Sequence, residues 1–329
     1  TGRKSGAGSV VSTVAVNLRD SAPFGSEHRQ GLSAADENKW QTLYQNGCAA
    51  QSAGKIEEAA GWFHQAAQID DQFADLLFRQ GSCALALGQT TAAQKLFADA
   101  RDQDTLRFRC DSRLNDLIRQ TVSHLGDQQV VLADAEAAFA EHSPERLPGD
   151  DLFYEHVHLN FDGNYLLART LAPKLESLLP EKIAGQVATS KPWPSEADCA
   201  RRLGWSNWDK QEALAEIYSR LSLPPFTHQL NHAARIQNLQ TSLQKLTPAI
   251  QPPGIAAAQK ICESALATSP DDPYLHAQLA TLDELSGNLA GAATNAQSAV
   301  NLVPSSSEDW SQLGIILAKQ QNYEAAATA

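Results

Sequence analysis

The sequence predicts a mainly α protein: helical hairpins of a repeat solenoid joined to a partial α/β domain with an open parallel sheet. Three observations lead there. A 34-residue period runs through residues 32–104 and returns after about Gly254. Only two β-branched runs, 9–16 and 129–135, read as strands, and they bracket the first set of repeats. Alanine and glutamine are plentiful and β-branched runs are few, which favours helix.

A length of 329 residues has room for two or three domains, and 43% hydrophobic with 19% charged residues is a globular composition. The net charge of −12 argues against a nucleic-acid partner, because phosphate binding needs clustered Lys and Arg. No apolar run is long enough to span a bilayer, and the N-terminus has no signal-peptide pattern; the compartment stays open. Five cysteines (48, 83, 110, 199 and 262) are dispersed without a CxxC pair, which reads as reduced thiols rather than a disulfide frame or zinc site. The chain contains no Met, even at position 1, and is expected to be part of a longer polypeptide.

The first run, SVVSTVAV (9–16), opens into the polar loop Asn17-Leu18-Arg19-Asp20-Ser21-Ala22-Pro23-Phe24. In an open parallel sheet, loops at the carboxyl ends of strands line the ligand crevice. Asn17, Arg19 and Asp20 are therefore site candidates, against the plainer reading of a solvated turn with a local Arg–Asp pair.

In the repeats, Gly47 is matched by Gly81, Gly54 by Gly88, Ala59 by Ala93, Phe63 by Phe97 and Ala66 by Ala100, each 34 residues on. Small residues where two helices cross, an aromatic in the second helix and this period resemble the tetratricopeptide repeat. The resemblance implies that Gly47 and Gly81 let the first helix of a pair approach the second, and that Gly54 and Gly88 end the first helix in a left-handed cap. Trp40, Trp62 and Phe63 then read as core rather than cofactor contacts.

Next, 106–120 reads as a helix with Leu114, Leu117 and Ile118 on its apolar face. The run 129–135 is the second strand, followed by helix at 136–142, a Pro-rich loop and a helix from about Phe161 to Leu179. Helical stretches at 196–221 and 232–246 follow a Pro/Trp connector at 191–194, and Asn288–Ala293 reappears as Asn322–Ala327, with Leu279 matching Leu313. The expected organisation is an α/β domain of residues 1–31 and 105–185, an inserted repeat pair at 32–104, a helical connector at 186–250, and further repeats at 251–329, ending in mid-repeat.

Chemistry concentrates at Glu155-His156-Val157-His158. A carboxylate three residues before a histidine can accept the ring Nδ1–H, fix the tautomer and leave Nε2 free as a base. The surrounding LFYEHVHLNFDGNYLLA resembles the last motif block of SGNH (GDSL-type) esterases, in which Asp-x-x-His supplies orienter and base. Residues 111–180 share the resemblance well and 9–24 loosely. It implies a flavodoxin-like parallel sheet, His158 as general base, Glu155 as orienter in place of Asp, and His156 and Asn160 as pocket neighbours, with Asn17 and Arg19 near the substrate. No Gly-Asp-Ser nucleophile block and no Asn-rich oxyanion block occur in this sequence. Two other readings of the same residues stay open: a metal held by His156 and His158 with Glu155 or Asp151, and histidines satisfied by local hydrogen bonds.

Two functions compete. One is hydrolysis or transfer of an acyl group from a small ester or an acylated glycan, with the serine outside these residues and no cofactor. The other is a non-catalytic scaffold that binds peptide or protein partners in its repeat grooves.

Overall fold

The computed structural model describes residues 6–126, 129–184 and 193–329. Lys191 and Pro192 of the Pro/Trp connector, and residues 186–190 before them, lie outside that set. The chain forms two compact units, one of Thr1–Lys191 with Arg220–Arg235, the other of Pro192–Ser219 with Ile236–Ala329.

The first unit contains β1 (Ser9–Ser12), then α1 (Ala34–Ser52), α2 (Ile56–Ala67), α3 (Ala74–Ala86) and α4 (Thr90–Asp102). After these come α5 (Ser112–Leu125), β2 (Val130–Ala133), α6 (Ala135–Glu141), α7 (Phe161–Glu176) and α8 (Glu181–Ala184). α1 packs on α2 and α3 on α4 as hairpins, as the 34-residue period predicts. A methyl group at Gly47 would overlap the Phe63 ring, and one at Gly81 would sit 3.1 Å from the Phe97 ring. Gly54 and Gly88 occupy the left-handed region at φ +74° and +71°, which ends α1 and α3 sharply. Trp40, Phe63, Leu76 and Cys83 are buried together, so the aromatics are core side chains. These are tetratricopeptide-like helical pairs.

A second buried cluster joins Leu77, Phe78 and Phe97 to Ala22 and Leu147. The repeat pair is thereby seated on the loops that follow β1 and α6. The Asp104 carboxylate fixes that joint by accepting from the backbone N–H of Phe24 (2.9 Å) and Gly25 (3.0 Å).

The α/β expectation is met only in part. β1 and β2 pair in parallel, with Ser9 opposite Val130 and Ser12 opposite Ala133. Among the described residues the sheet has these two strands and no more, so the flavodoxin-like sheet is not built. The ladder stops for local reasons. On the edge of β1 away from β2, the Asn115 side chain accepts from the Val14 N–H (2.8 Å) and donates to its carbonyl (3.0 Å), occupying groups a third strand would use. The Ser12 hydroxyl donates to the Thr13 carbonyl (2.8 Å) where the pairing with β2 would continue.

The helix expected at 106–120 is displaced. α5 starts only after Asp111, whose side chain accepts from Leu114 N–H as the cap, because Arg109 is pinned by other bonds before it. Leu114, Leu117 and Ile118 share one face of α5, as expected, and that face is largely uncovered. Leu114 is 50% exposed and Leu117 is exposed with it, while Asn115 is the buried residue. In α7, Leu166 is buried and Leu175 exposed, and the helix ends at Glu176 rather than Leu179.

In the second unit the stretch at 196–221 divides into α9 (Glu196–Arg202) and α10 (Asn207–Leu221) at Gly204, which has φ +65°. There follow α11 (His232–Leu246), α12 (Pro252–Leu266), α13 (Pro273–Leu285), α14 (Leu289–Leu302), α15 (Ser307–Lys319) and α16 (Tyr323–Thr328). The end of α10 and the start of α11 belong to the first unit, so the expected connector at 186–250 is shared between the two. α13 packs on α14 and α15 on α16, with Leu279 and Leu313 both buried. The five cysteines are unpaired. Among the described residues, no helix is long and apolar enough to cross a membrane.

Candidate functional site

Phe153 and Leu159 form an antiparallel bridge, and Tyr154 N–H donates to the His158 carbonyl at 2.8 Å. Those two contacts fold Glu155-His156-Val157-His158 into a tight loop between α6 and α7. The Glu155 side chain, 2% exposed, turns back into its own loop. It accepts from the backbone N–H of His156 (2.6 Å) and of His158 (2.7 Å), and its Oε1 pairs with His158 Nδ1. Two backbone donors hold the carboxylate, so it orients the imidazole from a fixed position. The His158 side chain is 58% exposed, and with Nδ1 bound to Glu155 its Nε2 is the nitrogen left over.

The two ends of the expected dyad are thus brought together. His156 takes a different place. Its side chain is 13% exposed, and Nδ1 faces Glu155 Oε2 out of line for a hydrogen bond. Burial, then the nearby charges of Arg109, His158 and Arg235, drives its pKa down to about 3, so this ring is neutral near pH 7. Its edges and faces meet aromatic rings, with centroids 5.1 Å from Phe24 and 5.4 Å from Phe226.

The remaining candidates build the loop. Asn17 is fully buried. Its N–H donates to the His156 carbonyl (3.0 Å), and its amide donates to the Glu155 carbonyl (2.9 Å) and Asp150 Oδ1 (2.8 Å). Both amide hydrogens are committed, which leaves Asn17 no donor for an oxyanion. Arg19 pairs with Asp20 (2.9 Å) and Asp151 (2.6 Å), a clamp between the two loops. Asn160 caps α7, accepting from Gly163 N–H (2.9 Å) while donating to the Asp151 carbonyl (2.9 Å). It is a cap rather than a pocket wall. Among the described residues no group of three His, Cys, Asp or Glu side chains is placed to hold a metal, and no serine hydroxyl is bonded to His158.

Three polar residues at this junction were not singled out from the sequence. Arg109, buried, donates to the carbonyls of Asn17 (3.0 Å) and Ser21 (2.7 Å) and pairs with Asp104 (3.2 Å). Burial pulls its pKa down to about 10 against the opposing pull of Asp104. Arg235 donates to Asp150 (3.0 Å) and the Tyr154 carbonyl (3.3 Å). Burial pushes the Asp150 carboxyl up to about 6 despite Arg235. An arginine within the apolar run LRFRC was the one available signal for Arg109; nothing in the sequence ties Arg235 to this loop.

The second unit has a groove of about 870 Å³ on the face formed by α13 and α15, the first helices of their pairs, with Trp208 of α10 at one side. Tyr274, 85% exposed, and Ile315 offer it apolar surface. The charged side chains along it are Glu284, Glu308 and Asp309.

No family model matches the sequence, and no curated protein does. Solved structures with a similar arrangement include yeast Tom70, with 14% identity, 89% of this chain and 68% of that chain covered, and a TM-score of 0.24. The assembly chaperone of RpL4 (Acl4) follows at 16% identity, 88% and 99% coverage and a TM-score of 0.24. The P58(IPK) TPR domain has 14% identity, 88% and 99% coverage and a TM-score of 0.20. Superpositions that loose relate no site to this one, and the repeat assignment rests on the glycine–phenylalanine crossings above.

Proposed function

We propose that this chain is a helical-repeat scaffold whose second unit binds an extended segment of a partner protein. The groove across α13 and α15 carries the proposal. Repeat solenoids present extended binding surfaces of this kind, and an exposed Tyr and an exposed Ile along one groove offer apolar anchor points to a partner side chain. Glu284 is already paired with Lys319, and Glu308 and Asp309 are the groove's remaining charged side chains, so it favours a segment carrying Lys or Arg around that anchor. The test is an array of extended peptides, basic and acidic, probed with the 329-residue chain. Basic peptides with one aromatic or aliphatic residue should bind, and Tyr274→Ala should weaken them by about tenfold. Equal binding of acidic peptides, or no loss in Tyr274→Ala, rejects this reading.

A second reading is favoured by the Glu155–His158 geometry: a general base and its orienter for acyl-ester hydrolysis. In it, a serine from outside these residues attacks the ester carbonyl. Nε2 of His158 takes the hydroxyl proton and returns it to the leaving alcohol, while Glu155 holds the imidazole and stabilises its protonated form. Residues 1–31 and 105–185 would form the hydrolase-like part, with 32–104 inserted. The parallel β1–β2 pair and the Asn17 bonds to the 150–156 loop support that grouping. The test needs a parent polypeptide that turns over p-nitrophenyl acetate: unchanged turnover in His158→Ala removes His158 from the role.

A further inference from the structure

Next to the exposed His158 the surface is aromatic rather than polar. His156 lies with its centroid 6.3 Å from His158, and on its far side Phe24 and Phe226 meet it edge-on at 5.1 and 5.4 Å. Phe108 joins at 5.2 Å from Phe24 and 6.2 Å from His156. Phe24 is buried, but Phe108 is 52% exposed. A phenylalanine left half in water beside two other rings, Phe24 and His156, is an apolar platform with one side uncovered. The ring nearest the base, His156, is neutral near pH 7, so it adds no charge to that platform.

We propose that Phe108 and Phe226, with His156 between them and His158, are the surface on which the apolar acyl chain of an ester lies while its carbonyl faces His158. The inference rests on the second functional reading and makes it more specific: the substrates would be esters of apolar acids several carbons long rather than acetates. Phe108 is then a specificity-determining residue. Aromatic rings that reach the base through the intervening His156 ring remove methylene groups from water as the carbonyl approaches.

The 329-residue chain itself supports the test, because an exposed imidazole reacts with p-nitrophenyl esters without a serine. Nε2 attacks the carbonyl carbon, p-nitrophenolate leaves with the bonding pair, and Glu155 takes the Nδ1 proton. Water then splits the acyl–nitrogen bond: its hydroxyl goes to the acyl carbon, Glu155 returns its proton to Nδ1, the other water proton passes to solvent, and the acid leaves the regenerated ring. The rate of p-nitrophenolate release is measured with the acetate and hexanoate esters, taking the part that His158→Ala removes. The ratio of hexanoate to acetate rates is compared with that of N-acetylhistidine. The expected ratio is about tenfold above N-acetylhistidine, falling several-fold in Phe108→Ala. A ratio equal to that of N-acetylhistidine overturns the acyl shelf while leaving His158 as a reactive base, and assigns the exposed rings to a partner protein instead. A raised ratio that Phe108→Ala does not lower overturns the assignment to Phe108. If His158→Ala removes none of the release, the base reading falls and the acyl shelf falls with it.

Discussion

The helical pairs near the two ends of the chain close the same crossing with different residues. In the first unit a glycine on the first helix faces a phenylalanine sixteen residues on, Gly47 with Phe63 and Gly81 with Phe97. In the α13–α14 pair of the second unit the same two positions are Ala280 and Ala296, both fully buried in one cluster, while α15 keeps a glycine, Gly314, at the first position. One arrangement sets a large ring against bare backbone, the other sets two methyl groups face to face. Both fill the space at near-crystalline density, but they divide it differently, so neither position can be exchanged without its partner.

That complementarity gives the largest expected effect. Gly47→Ala places a methyl group inside the Phe63 ring and should cost about 3 kcal/mol by urea unfolding. Gly81→Ala meets Phe97 at 3.1 Å, where a small shift of the ring suffices, and should cost about 1 kcal/mol. Ala280→Gly should also destabilise, by about 1 kcal/mol, through backbone entropy and a lost methyl. Combining Gly47→Ala with Phe63→Ala recreates the alanine pair, so the double variant should be more stable than the sum of the two singles by at least about 1 kcal/mol. Additive costs would mean that the two crossings are not alternative solutions to one packing problem.

The same residues explain how much was legible in advance. The repeats were readable because a periodic glycine and a periodic aromatic are local signatures of one contact. The Glu155–His158 pairing was readable because three residues of loop suffice to make it. The rest depended on long-range partners. Asn17 looked like a pocket residue, yet its amide is spent on residues 133 and 138 positions away. The leucines of α5 share a face as their spacing says, but amphipathic spacing marks an apolar face without saying whether anything covers it. The two strands paired as expected, while on the open edge of β1 the Asn115 side chain took the Val14 groups that a third strand would need.

A smaller effect separates the polar junction of the first unit from the alanine-packed helices of the second. His156 is held near pKa 3, against an ordinary value of 6.5. Below pH 6.5 the unfolded chain binds a proton that the folded chain refuses until about pH 3, so stability falls as pH drops through that window. By pH 5 the loss is about 2 kcal/mol. Asp150 works in the opposite sense. Its folded pKa of about 6 lies above the ordinary 3.8, so its contribution is lost as pH rises from 4 to 6. The measurement is therefore the difference between wild type and His156→Phe: unfolding free energies at pH 7 and pH 5 should diverge by about 2 kcal/mol, with the wild type losing more. Parallel curves would place His156 in a wetter site than its aromatic neighbours imply.

The second helices of the pairs differ at their starts. Asn288 and Asn322 cap α14 and α16 through their side chains, accepting from Gly291 N–H (3.1 Å) and Ala325 N–H (3.4 Å). The matching residues of the first unit, Lys55 and Gln89, make no side-chain cap bond. Asn288→Ala should therefore cost about 1 kcal/mol, and Gln89→Asn should gain a fraction of that. Thermal unfolding checks both, and equal effects of Asn288→Ala and Gln89→Ala would show that the cap bond contributes nothing.

The smallest effect lies where one repeat breaks the rule that the others keep. Gly54, Gly88 and Gly287 each end the first helix of a pair with positive φ, and Gln321, 34 residues after Gly287, does so at φ +63° with a side chain attached. A Cβ in the left-handed region costs about 1 kcal/mol, which the Gln321 N–H bond to Ala318 O (2.9 Å) and the Asn322 N–H bond to Leu317 O (2.9 Å) offset locally. Gln321→Gly keeps those backbone bonds and removes the strain, though it also loosens the unfolded chain, so the net gain should be about 0.5 kcal/mol. Gly287→Gln is the converse change and should lose more than that, because α13 and α14 are packed on both sides while α15 and α16 end the described repeats. If Gln321→Gly is destabilising instead, the glutamine side chain must contribute a contact that outweighs its backbone cost, and the glycine rule of this turn would be a preference of the inner repeats alone.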